Sequence, residues 1–142
     1  MSTPSSIDAP FHYYSDEPGE YLNHHHNTMV QDAAVKVNTD EIHACEILSL
    51  VLPRMKPYIT KVVFLRNTID EGSTGGVFLF DQSGDRILVH VTNAWIGNTE
   101  SPPALSRCLL ELLDVPANVI KHVNDAAWRR YNYYTVVLEI EK

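Results

Sequence analysis

The chain has 142 residues, of which 44% are hydrophobic and 20% are charged, and its formal net charge is −7. This composition is typical of a single globular domain that can bury its own core without disulfides or metal ions. The acidic balance argues against non-specific binding to nucleic acid or anionic membranes, and no apolar run has the length of a membrane span. The N-terminus has neither a secretory nor a transit pattern, so the default expectation is a cytoplasmic protein.

Residues 1–30 are predicted to form an irregular arm ahead of a single domain over residues 31–142. The arm contains Pro, Ser, Asp and Glu and shows neither helical nor strand periodicity. It also carries aromatic residues, including Tyr13 and Tyr14, which are uncommon in plain disorder. These aromatics are expected to anchor the arm on the domain or on a neighbouring subunit.

The first predicted element of the domain is a helix near residues 39–52. Asn38 is expected to cap it, Glu41 completes a capping-box pattern, and Pro53 is expected to end the helix. Apolar residues on more than one side of this helix predict burial on more than one side. The main buried stripe is expected to contain Ile42, Cys45, Leu48 and Leu52, widened by Ala44, Ile47 and Val51.

Three strand-like runs follow this helix, at Ile59–Arg66, Gly76–Asp81 and Arg86–Asn93. The first two are rich in β-branched and aromatic residues, and the third alternates, with Ile87, Val89 and Val91 expected to share one face. The short DQSGD loop before the third run is typical of a hairpin. Strands joined in this way predict an antiparallel meander.

Two helices and a last strand complete the domain. Ser101 and Pro102 are expected to begin a helix through LSRCLLELL, and a further helix is expected near residues 116–130. Alternation over YYTVVLEIE, residues 133–141, predicts a half-buried strand. The order helix-β-β-β-helix-helix-β therefore predicts an α+β fold with a mainly antiparallel four-stranded sheet and helices on one face.

No motif in the sequence specifies a metal or catalytic site. The His24–His26 tract has metal-binding imidazoles, but consecutive side chains point in different directions, and HExxH and CxxC motifs are absent. Cys45 and Cys108 are expected to be small buried hydrophobes, with a disulfide between their helices as the alternative. His90 is expected to be an ordinary polar-face residue. The sequence predicts no cofactor and leans against an enzyme.

The loop between the third strand and the second helix is the first candidate for a small-molecule site. A helix N-terminus attracts anions, and an aromatic ring can stack on a base or sugar. Two prolines at this helix start remove amide donors, and no Gly-rich phosphate loop is present. The alternative is that Trp95 is a core or interface anchor and that the asparagines are turn formers. The residues expected to hold a phosphate-containing ligand, such as a nucleotide, are Asn93, Trp95, Asn98, Thr99 and Arg107.

The helix pair within residues 104–130 is also similar in spacing to a helix-turn-helix. In that arrangement Ala117, Asn118, Lys121 and His122 would face a DNA major groove. Asp114, however, stands where the turn of such a motif normally has glycine, and the unit is not basic. An αα-hairpin packed on the sheet is therefore favoured over DNA binding.

An aromatic and basic cluster at WRRYNYY, residues 128–134, indicates protein contacts. Trp, Tyr and Arg are enriched at the energetic centres of protein interfaces. The alternative is that these residues close the core beneath the last strand. The candidate interface residues are Tyr13, Tyr14, Trp128, Arg129, Arg130 and Tyr131.

The leading hypothesis is a non-enzymatic protein–protein interaction or assembly module that associates with itself. Small size, acidity and an aromatic arm are similar in type to small phage and mobile-element proteins that assemble into particles or block host defences. The second hypothesis is a binder of a phosphate-containing small molecule, acting as a sponge or sensor in such anti-defence roles. Helix-turn-helix DNA binding and an unassigned enzyme come third.

Overall fold

A computed structural model describes residues 5–8, 11–15, 31–67, 74–82, 86–92, 94, 96, 103–128 and 133–141. The helices are α1 (Glu41–Met55), α2 (Ala104–Leu112) and α3 (Ala117–Trp128), and a 3-10 turn, Lys56–Tyr58, follows α1. The strands are β1 (Ser5–Asp8), β2 (Phe11–Ser15), β3 (Val35–Val37), β4 (Lys61–Asn67), β5 (Thr74–Phe80), β6 (Ile87–Val91) and β7 (Tyr133–Ile140).

In these residues one mixed sheet has the strand order β1-β2-β7-β4-β5-β6-β3. The α+β class and the mostly antiparallel sheet are confirmed. β5 pairs antiparallel with both β4 and β6, as the predicted meander requires, and β7 joins on the other side of β4. Within the described chain, no helix has the length and apolar character needed to cross a membrane.

The sheet is wider than the predicted four strands at both of its edges. The β1–β2 hairpin pairs antiparallel with β7 at one edge, and β3 pairs parallel with β6 at the other. The expected irregular arm is therefore wrong for residues 5–8 and 11–15. These short polar and aromatic runs carry no clear alternation, and their strand structure depends on backbone pairing with a distant segment.

Helix α1 begins and ends later than the sequence pattern predicts. Its N-cap is Asp40, not Asn38, and the Asp40 Oδ1 atom accepts a hydrogen bond of 2.9 Å from the backbone N–H of His43. Pro53 lies inside the helix rather than at its end. Leu52 is fully buried and Met55 packs against the same core, so packing on both sides of Pro53 offsets the hydrogen bond that proline cannot donate.

The sheet is buried on both faces. Successive residues of β4 alternate between two hydrophobic clusters, with Val62 and Phe64 in the cluster that includes the helices and Val63 and Leu65 in a second one. β7 lies between β2 and β4 and has buried side chains at every position from Thr135 to Leu138. The prediction of a half-buried last strand is therefore wrong, because a central strand covered on both faces does not alternate.

A β-bulge explains why β6 departs from the predicted alternation. Leu79 of β5 is paired with Val89, but the next residue of β5, Phe80, is paired with Ile87, so Leu88 is an extra residue. Val89 consequently packs with the helices, whereas Ile87 belongs to the second cluster. The expectation that Ile87 shares a face with Val89 is wrong, because an inserted residue reverses the side-chain direction.

Candidate functional site

The N-terminal half of α1 borders an open, mostly apolar cleft with a volume of about 810 Å³. The other wall of this α1–α2 cleft is the first turn of α2. Its lining residues are Asp40, Glu41, Ile42, His43, Cys45, Glu46, Ser49, Ala104 and Leu105. The cleft exists because the two helices, far apart in sequence, are fixed side by side.

A carboxylate from α1 caps α2. The N-cap position of α2 is Pro103, which makes no side-chain capping bond, and the Leu105 backbone N–H donates to Glu41 Oε1 at 3.1 Å. Because α2 begins at Ala104, the expectation that Ser101 caps this helix is wrong; Ser101 lies outside the described residues. Glu41 places a negative charge at the positive end of α2. An amide that the nucleotide hypothesis assigns to a ligand is thus already hydrogen-bonded within the chain.

Cys45 and Cys108 form a disulfide that joins α1 to α2, with their Cα atoms 6.2 Å apart. Both residues are half-buried rather than fully buried, and neither is a free thiol. The expectation of two unpaired hydrophobic cysteines is therefore wrong, and the disulfide alternative is confirmed. Disulfides persist mainly in oxidising compartments. The cytoplasmic location stays a prediction, and this bond does not favour it.

The rim of the cleft carries a hydrogen-bonded Asp–His pair. His43 Nδ1 lies 2.6 Å from Asp40 Oδ2, while the other oxygen of Asp40 accepts from the His43 backbone N–H. The bond to Asp40 raises the pKa of the His43 imidazole. The His43 backbone N–H, followed by its side chain, lowers the pKa of Asp40. The pair is exposed on the rim of the cleft, and both of its hydrogen bonds join Asp40 to His43.

We expect the Asp40→Asn variant to move the pKa of His43 back toward the ordinary imidazole value of about 6.5. Since the pKa of His43 is raised in the folded chain, its stabilising contribution is complete below about pH 6.5 and is lost as pH rises through the folded pKa. The contribution of Asp40, whose pKa is lowered, is lost as pH falls below about 4. NMR titration of His43 in both proteins measures the shift. Identical titration curves would contradict the pairing.

The solvent side of α1 carries two large apolar side chains, of which the sequence pattern assigns Ile42 to the core. Ile42 is 72% and Leu50 is 76% exposed, whereas Leu48 and Leu52 are fully buried. The expected burial of Ile42 is therefore wrong. A helix that is apolar on several sides has no single stripe, so its 3.6-residue repeat cannot show which side meets the sheet. The remaining large exposed hydrophobic residues in the described chain are Ile47 and Tyr58, so the expectation that Ile47 widens the buried stripe is also wrong.

The structure describes only some of the predicted site residues. Arg107 is exposed on α2 and lines a smaller cavity beside Glu111 and Lys121. Tyr13 and Tyr14 lie on β2, with their backbone paired to β7. Trp128 is the last residue of α3. The candidates outside the described residues are Asn93, Trp95, Asn98, Thr99, Arg129, Arg130 and Tyr131, together with the His24–His26 tract. Elsewhere in the described chain, no group of His, Cys, Asp and Glu could hold a metal ion.

The turn between α2 and α3 has the backbone conformation for which glycine is usual. Asp114 has φ = 61°, its N–H donates to Glu111 O at 2.9 Å, and the Val115 N–H donates to Leu110 O at 3.0 Å. This is a Schellman motif, a common helix ending. The Asp114 carboxylate also pairs with Lys56. Because such endings occur in many helix pairs, the turn does not favour DNA binding over a packed αα-hairpin.

Comparisons with protein-family models, with curated proteins and with solved structures found no match to this chain.

Proposed function

We propose that this chain is a non-enzymatic protein–protein interaction module that docks through the exposed side of α1. The observation that carries the proposal is the exposure of Ile42 and Leu50 on a helix whose opposite side is already in the core. Single exposed aliphatic residues are normal on protein surfaces. Here, however, two of them lie on the same side of one helix, about two turns apart, and Ile42 also lines the apolar cleft. Large exposed apolar side chains grouped beside a cleft are typical of interaction sites.

The exposed side of α1 belongs to a helix that is joined to the rest of the domain near both of its ends. The disulfide and the Glu41–Leu105 hydrogen bond fix its N-terminal half to α2. At the other end, Lys56 pairs with Asp114 in the turn that follows α2. A surface ordered in advance loses less conformational entropy on association, so more of the contact energy contributes to affinity.

Replacing Leu50 with aspartate is expected to weaken docking by at least tenfold. The variant removes an apolar anchor worth about 1.5–3 kcal/mol when fully buried, and it places a charge in the contact. Since Leu50 is exposed in the single chain, the melting temperature should change little. The measurement is native mass spectrometry of gently purified protein, which reports bound proteins, including further copies of this chain.

The matched control for this experiment is Ala117→Asp. It adds the same charge at an exposed position in the first turn of α3, away from α1 and favourable for the helix. The control should retain every complex that the wild-type chain forms. The proposal fails if Leu50→Asp retains the same complexes at the same concentration.

A further inference from the structure

We infer that the partner of α1 is a second copy of the same chain, packed antiparallel about a two-fold axis beside Leu50. This inference rests on the proposed function and specifies the partner and the register. Residues four apart lie along one ridge of a helix. The row Ile42, Glu46, Leu50 and Arg54, all exposed, is here called the α1 ridge.

The charges of the α1 ridge are arranged for antiparallel self-pairing. Glu46 lies one turn before Leu50 and Arg54 lies one turn after it. No close ion pair within the described chain holds either charge, and Glu46 acts on the nearby His43 only through a Coulombic interaction. A two-fold axis at Leu50 places Glu46 of each copy opposite Arg54 of the other, so both charges find partners twice. A parallel pair in register would instead place like charges together.

The same register pairs the exposed apolar residues. Leu50 meets Leu50 at the axis. Ile42 lies eight residues before Leu50, about 12 Å along the helix, and Tyr58 lies eight residues after it. Ile42 of one copy therefore lies toward the C-terminal end of α1 of the partner subunit, where Tyr58 follows in the 3-10 turn. The charge order selects the axis at Leu50, and this axis also brings the exposed Leu50 side chains of the two copies together.

The expected complex is a weak, reversible dimer. α1 has 15 residues and is about 22 Å long, so a contact made mainly by two such helices is smaller than the interfaces of permanent dimers. A dissociation constant on the order of 1–100 µM is expected for such a contact.

Single-cysteine crosslinking tests the register directly. With a short bis-maleimide reagent, which leaves the Cys45–Cys108 disulfide intact, Leu50→Cys should form a covalent dimer because the axis brings position 50 beside itself. Glu46→Cys alone and Arg54→Cys alone should yield at least tenfold less dimer. A mixture of these two variants should crosslink efficiently, because the antiparallel register places position 46 opposite position 54.

Charge reversal provides a second measurement, made by sedimentation at several protein concentrations. Glu46→Arg and Arg54→Glu should each weaken the dimer by about tenfold, and combining both in one chain should restore it. All these positions are exposed, so folding should not be affected.

The outcomes separate this inference from the proposed function. The antiparallel pair is overturned if the chain is monomeric at 100 µM. It is also overturned if Glu46→Cys forms a dimer with itself as efficiently as Leu50→Cys does. If such a chain still loses a different bound protein on Leu50→Asp substitution, the proposed docking function stands while the self-pairing fails. If the crosslinks form as described and the double charge reversal restores the dimer, the self-pairing is supported.

Discussion

Replacing Gly76 with alanine is expected to lower the free energy of unfolding by about 2 kcal/mol or more. Gly76 lies in β5 with φ = 121°, a conformation that side chains with a Cβ atom rarely adopt. A Cβ atom there would lie 2.5 Å from the Val91 carbonyl oxygen and 3.0 Å from that of Thr92. These are backbone atoms at the end of β6, so they cannot move aside as a flexible side chain can.

A second effect of the Gly76 substitution concerns His90. The added methyl group would lie 3.1 Å from the His90 Nε2 atom, and the ring of His90 is stacked on Phe78 with centroids 4.4 Å apart. His90 is buried, which corrects the expectation of an ordinary polar-face residue. Urea unfolding of Gly76→Ala and the wild-type chain measures the loss. A change below about 0.5 kcal/mol, within the range of ordinary surface substitutions, would contradict the close approach.

Removing the disulfide is the second change with a large expected effect. Cys45 and Cys108 are 63 residues apart in sequence, and a crosslink over that distance restricts the unfolded chain strongly. The double variant Cys45→Ala/Cys108→Ala is therefore expected to lose about 2–4 kcal/mol of unfolding free energy. The loss should also loosen α1 against α2, since the bond lies between them.

The disulfide prediction is checked by thermal unfolding with and without a reducing agent. Reduction should lower the melting temperature of the wild-type chain and leave that of the double alanine variant unchanged. The variant thus controls for effects of the reagent itself. A wild-type melting temperature that does not respond to reduction, although the thiols are shown to be free, would contradict a stabilising role for this bond.

The elements that the sequence predicts well are those with a strong local pattern. β4, β5 and β6 follow from apolar runs, and α3 follows from its helical repeat. β3 has only three residues and exists through pairing with β6, while β2 depends on β7. Local periodicity cannot reveal strands of this kind, because their hydrogen-bond partners lie far away in the chain.

The candidate site was less predictable than the fold. The sequence allows a disulfide between Cys45 and Cys108 as an alternative to two free thiols. It does not show that the bond forms, because the proximity of two helices is a tertiary property. The hydrogen bond from Leu105 to Glu41 joins residues 64 positions apart. A capping-box pattern predicts a bond of Glu41 within its own helix, so it does not predict this contact. The helical repeat predicts Ile42 in the core, because an apolar helix gives no indication of which apolar residues remain outside.

The central position of β7 has a consequence for biosynthesis. Phe11 of β2 pairs with Ile140, and the neighbouring His12 bonds to Glu141 across 129 positions. A ribosome releases the chain from its N-terminus, so the β1–β2 hairpin emerges first but can join this sheet only after residues 133–140 have emerged. Contacts this distant in sequence form slowly. The meander β4–β5–β6 can pair during translation. The sheet is completed only after β7 has been synthesised, because the β1–β2 hairpin pairs with β7.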